Sequence, residues 1–73
     1  QFTLSPNPTS GNLQVDFFND ELNNEDINIV DVLGRVVLKQ RTTGAKTTVD
    51  VSALPAGIYL LRCAGKTINF MKE

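Results

Sequence analysis

Acidic residues crowd one stretch of this sequence: Asp20, Glu21, Glu25 and Asp26 all fall within NDELNNED. Two such carboxylates could share general acid and base roles across a glycosidic bond, or several could hold calcium. The spacing fits no calcium loop, because Asp20-Glu21-Leu22-Asn23 lacks the alternating oxygen ligands and the glycine bend. The stretch reads as a solvated tip between strands, with weak cation binding the lesser alternative. Histidine is absent, which excludes Ser-His, Cys-His and His-metal arrangements within the chain. The single cysteine, Cys63, follows the apolar run Ile58-Tyr59-Leu60-Leu61 and reads as a small buried hydrophobe rather than a reactive thiol. TTGAKTT holds a glycine and a lysine without the phosphate-cradling pattern, and in Asn7-Pro8-Thr9 the proline blocks a glycosylation signal. No catalytic residue, metal site or cofactor is expected, and the chain does not read as an enzyme.

Composition narrows the remaining classes. With 73 residues there is room for one core, and a chain of this size buries only about 60% of the surface its unfolded form exposes. An apolar content of 41% with 21% charged residues suits a globular domain and is too apolar for a disordered tail. A net charge of −1 gives no basic footprint for nucleic acid and no polybasic cluster for anionic lipid. The longest apolar runs fall far short of the roughly 20 residues that span a bilayer, so no membrane insertion of its own is expected. The first residues lack a basic start followed by an apolar block. If the domain is exported, the signal for that is expected upstream in a longer chain.

The elements that would position any site are short and β-rich. LQVDFF alternates, with Leu13, Val15 and Phe17 on one face. INIVDV places Ile27 and Ile29 together, Gly34 turns the chain into RVVLKQR as a hairpin, and TTVDV puts Val49 and Val51 on one face. IYLLRC and TINFMK follow, joined through Ala64-Gly65-Lys66 as a tight hairpin. With Phe2 to Leu4 this makes about seven strands, and no stretch holds a helical period. The expectation is all-β, a small antiparallel sandwich or barrel. Leu13, Val15, Phe17, Ile27, Ile29, Val37, Val49, Val51, Leu54, Tyr59 and Leu61 form its expected core by shared parity.

Punctuation is densest at the start, in SPNPTSGN. Pro6 and Pro8 lack ladder donors, so this stretch is expected to run extended along an edge or to cap one end. Gly34 follows Asp-Val-Leu where a positive φ is needed, and Asp31 can hydrogen-bond that turn. Gly57 follows Pro55-Ala56, where a left-handed position is expected. Arg35 and Arg62 read as solvated turn or strand residues, with contact to a receptor as the alternative.

LSPNPTSG, VDVLGRVV, DVSALPAGIYLLR and INFMK occur in that order over nearly the whole chain. Together they resemble the type A C-terminal sorting domains of proteins exported by the type IX secretion system of Bacteroidetes. The resemblance implies an immunoglobulin-like β-sandwich and a single domain over residues 1–73, part of a longer secreted protein. It implies that this domain directs an N-terminally fused cargo across the outer membrane from the periplasm, to the cell surface or the medium. The implied partners are an outer-membrane shuttle and a sortase-like peptidase that removes the domain. Pro6, Asn7, Pro8 and Gly11 match the family's opening, Gly34 and Arg35 its glycine-arginine hairpin, and Leu54, Pro55, Gly57 and Tyr59 its later turn and strand. Ile68, Phe70, Met71 and Lys72 correspond to the segment that the machinery reads. The chain departs from the family by ending on acidic Glu73 where a basic residue is common.

A terminal edge strand is expected to offer free backbone groups to a receptor, with Lys72 supplying charge and few contacts to the core. The competing reading is an immunoglobulin- or fibronectin-like spacer, or a carbohydrate-binding module of a surface enzyme. A sugar module would need exposed aromatics; the chain has no Trp, and by parity Phe18 is the aromatic expected outside.

Overall fold

The structure, a computed structural model, describes residues 2–17 and 25–73. They form seven strands in chain order: β1 (Phe2–Ser5), β2 (Asn12–Phe17), β3 (Asp26–Val30), β4 (Val36–Arg41), β5 (Lys46–Asp50), β6 (Gly57–Cys63) and β7 (Lys66–Lys72). Two sheets result, β1-β2-β5 and β4-β3-β6-β7, and every strand pairing is antiparallel. This is the all-β, seven-stranded arrangement that the turn spacing predicts.

Alternation drives the packing. In β2, Leu13, Val15 and Phe17 are buried while Asn12, Gln14 and Asp16 are not. Their partners from the other sheet are Ile27, Ile29, Tyr59, Leu61, Cys63 and Phe70, and Val49 and Val51 complete the layer. Phe2, opposite Phe17 in the register, packs its ring 5.4 Å from it. Phe2, Cys63 and Phe70 are core members beyond the expected set.

Two expected core residues differ. Val37 is 39% exposed. A register shift between Ile29 and Val30 sets Leu38 opposite Ile29 and Val36 opposite Val30, so Val37 becomes the extra residue and Leu38 packs inward. Leu54 is half-buried and packs against the core from the turn before β6. Cys63 is buried in the core, and that burial raises its thiol pKa, as suits an inert side chain. Of the acidic stretch, Asp20 and Glu21 lie outside the described residues, and Asp26 pairs with Arg41 at 3.5 Å. Among the described residues no group of acidic, Cys or His side chains is placed to hold a metal.

Candidate functional site

The β3–β4 turn is built around Asp31. Its Oδ1 accepts from the Leu33 N–H at 2.9 Å and the Arg35 N–H at 3.0 Å, and its Oδ2 accepts from Arg35 Nε at 2.8 Å. The backbone closes the same turn, with Gly34 N–H donating to Asp31 O and Asp31 N–H to Arg35 O. Gly34 sits at φ +85°, where a side chain is strained, which explains glycine at this position. The hydrogen bond from the Arg35 amide holds the Asp31 carboxyl below its usual pKa against the opposing effect of desolvation, helped by the Arg35 side chain and the Leu33 amide. A carboxylate so engaged stiffens the turn, and the residues at its tip, Val32 and Leu33, are each 75% exposed.

The next turn is held by Tyr59. Its hydroxyl donates to Pro55 O at 2.6 Å, and its ring stacks on Phe70 at 5.7 Å. One side chain therefore fixes Leu54-Pro55-Ala56 from beneath while anchoring β6 in the core. Gly57 has the positive φ expected after Pro55-Ala56, at +156°, a backbone conformation that side chains rarely adopt. Between the two turns is a hollow of about 300 Å³, walled by Val32, Leu33, Val37, Leu54, Pro55 and Tyr59 with Arg35 on its border.

The opening stretch meets the closing strand. Residues 6–8 bend rather than run extended, and that bend aims Asn7 and Thr9 at the outer edge of β7. Asn7 Oδ1 accepts from the Met71 N–H at 3.0 Å. Thr9 N–H donates to Met71 O at 2.9 Å, and Glu73 N–H donates to Thr9 O at 2.8 Å. Thr9 is buried, its hydroxyl bonded to Asn12 O, and it forms a parallel bridge with Lys72. Gly11 O accepts from Val51 N–H, tying the same stretch to the end of β5.

This seam corrects the expectation of a loosely held terminal strand. Ile68 packs against the core, Phe70 is within it, and Lys72 is buried with Nζ donating to the backbone oxygen of Glu73. Of the four residues that the resemblance assigns to recognition, Met71 alone is exposed, at 46%. The alternation of β7 accounts for this: the inward parity holds Ile68, Phe70 and Lys72. Lys72 is thus placed to support the seam rather than to present its charge. On the same edge Thr67 and Asn69 share the outward backbone direction of Met71, so the open part of the ladder lies there.

The register gathers these features at one end of the four-stranded sheet. Val30 pairs with Leu60 and Gly57 with Lys72, so the β3–β4 turn, the turn before β6 and the seam are neighbours across that end. Pro6, Asn7, Pro8, Gly11, Gly34, Arg35, Leu54, Pro55, Gly57 and Tyr59, scattered in the sequence, lie within or beside these three features. So do Val32, Val36 and Ile58 with Leu33, Val37 and Met71, the exposed large apolar residues. Sequence reasoning missed Thr9, whose buried role no periodicity signals, and the exposed pair Val32 and Leu33, which the apolar run conceals. Arg62 lies on the outer face opposite Asn28 and Thr67, away from this end.

A two-sheet sandwich with its turns and closing strand fastened at one end defines a small β-sandwich module. The family model for the secretion system C-terminal sorting domain matches residues 3–73. The chain belongs to that family, the C-terminal sorting signals of type IX secretion, which is not an enzyme family. No curated protein matches the chain. Membership implies a secreted or cell-surface cargo and an interaction with the type IX machinery. No helix among the described residues is long and apolar enough to cross a membrane.

Proposed function

We propose that this domain is the address of a longer secreted protein, fused at its N-terminal side to a cargo and carrying out no chemistry itself. An outer-membrane shuttle reads the folded domain in the periplasm, and a sortase-like peptidase cuts near the opening stretch once the cargo reaches the surface. The observation that carries this reading is the match over residues 3–73, which takes in the opening stretch, both turns and the closing strand. The convergence of those segments on one end of the sheet supports it, since a reader could contact them together. The carbohydrate-module alternative has less support: Phe2, Phe17, Tyr59 and Phe70 are buried, and Phe18 lies outside the described residues.

The test is a reporter with an N-terminal export signal, joined to residues 1–73 in a host that has the type IX system. Surface display that depends on the domain is the expected result. A reporter retained in the periplasm, with the domain folded, overturns the proposal and favours the spacer reading.

A further inference from the structure

We propose that the machinery docks on the apolar end of the four-stranded sheet, laying an apolar segment that carries a carboxylate across the β3–β4 turn, Ile58 and Met71, with the carboxylate on Arg35. This rests on the sorting function above and names the surface that serves it.

Placement is the first ground. Val32, Leu33, Val36, Val37, Ile58 and Met71 are 39–75% exposed, and all sit at this one end, whereas the opposite end exposes no large apolar residue among those described. Scattered exposed hydrophobics are ordinary; a contiguous set is the mark of a contact surface. The register links the set, Ile58 directly to Met71 and Val36 to half-buried Leu60 across Val30, which is itself fully buried. Alternation turns Ile58, Leu60 and Met71 to the outer face, opposite Tyr59, Leu61 and Phe70 in the core, while Val30 beside them is fully buried.

Rigidity is the second ground. Val32 and Leu33 add nothing to the core, yet five hydrogen bonds around Asp31 fix the turn that presents them. A surface held in one shape loses little freedom on binding. The hollows beside it, about 300 Å³ between the turns and about 220 Å³ bordered by Asn7, Ile58, Asn69, Phe70 and Met71, can receive side chains of the partner.

Charge identifies the partner. The Asp31 carboxylate is turned to the loop amides, and its side chain is only 12% exposed. Arg35 is 72% exposed in its side chain and uses Nε alone on Asp31, which leaves the other guanidinium nitrogens directed outward. Lys72 is buried in the seam, so among the described residues bordering the patch the exposed cation is Arg35. A guanidinium edge beside an apolar wall fits a carboxylate next to a bulky apolar side chain.

The test uses the reporter fused to the full chain, with thermal unfolding and hydrogen exchange of the Leu33 amide measured on each variant. Val32→Ser with Leu33→Ser is expected to leave the midpoint and the amide unchanged and to lower surface display at least about tenfold. Val32→Leu with Leu33→Met is expected to keep display. Arg35→Glu is expected to lose display to a similar extent; where it opens the turn, Arg35→Gln takes its place. Normal display by the double serine variant overturns the docking surface, and normal display by the folded Arg35 variant overturns the carboxylate assignment. Failure of the unaltered domain to direct display overturns the sorting function itself, and the docking proposal with it.

Discussion

The two ends of the sandwich are built from the same strands and held by different means. At the far end, Thr42 N–H donates to Glu25 O, Glu25 N–H to the Thr42 hydroxyl, and Phe17 N–H to Ala45 O. Thr47, fully buried, accepts from Thr43 N–H and completes a turn that exposes no large apolar side chain. At the near end Asp31, Tyr59 and Asn7 each fasten a different chain segment, and the exposed apolar residues cluster around them. Among the described residues, the far end closes the fold without exposing a large apolar side chain. The near end spends comparable hydrogen bonding on holding apolar side chains where they contribute nothing to stability. Local order without local burial points to a surface made for contact.

The comparison breaks most readily at Tyr59, which serves both the core and the near-end turn. Tyr59→Ala is expected to cost about 3–5 kcal/mol, and Tyr59→Phe, which removes only the bond to Pro55, about 1 kcal/mol. Chemical denaturation of both variants separates the two contributions. Equal losses would place the importance of Tyr59 in its hydroxyl rather than its ring.

Removing Met71 to Glu73 tests the seam. It deletes three seam hydrogen bonds and the buried Lys72, and is expected to cost on the order of 2–4 kcal/mol. Asn7→Ala, which takes away one acceptor, is expected to cost about 1 kcal/mol and to speed exchange of the Met71 amide. A truncated chain as stable as the parent would show the seam to be ornamental.

Gly34→Ala is expected to cost about 1–2 kcal/mol through its left-handed backbone. Thermal unfolding of the Gly34 variant probes the near-end turn.

Acid should weaken the near-end turn selectively. Asp31 is held below the ordinary carboxylate value of about 3.9, so its contribution is complete above that value and lost as the pH falls through the lowered one. Asp50 titrates in the same direction because of its bonds to Ser52, so Asp31→Asn is the control. The expected outcome is that the acid-induced loosening of the Leu33 amide disappears in that variant. The smallest effect belongs to Val32→Ser, within about 0.5 kcal/mol in stability.

Much of the fold was legible because period-two alternation carries it. Leu13-Val15-Phe17, Val49-Val51 and Tyr59-Leu61 announce their faces directly, and glycine and proline mark the turns. Val37 was misplaced because a bulge leaves no trace in a run as uniform as Val-Val-Leu. The site was only half legible. Asp31 and Gly34 have local chemistry that a sequence displays, whereas the pairing of Asn7 with Met71 depends on where two distant segments arrive. Lys72 was misjudged for the same reason, since a charged residue near a chain end reads as solvated until something is found to cover it.

That covering has a consequence in time as well as in space. The hydrogen bond from Met71 to Asn7 joins residues 64 apart, so the seam closes a long loop, and closing it costs least once the strands between have assembled. A ribosome delivers Asn7 and Thr9 first and Met71 last. Until the last strand arrives, the opening stretch has no ladder to join, and a chain stopped short of Met71 never acquires one. The seam therefore distinguishes a finished domain from an unfinished one.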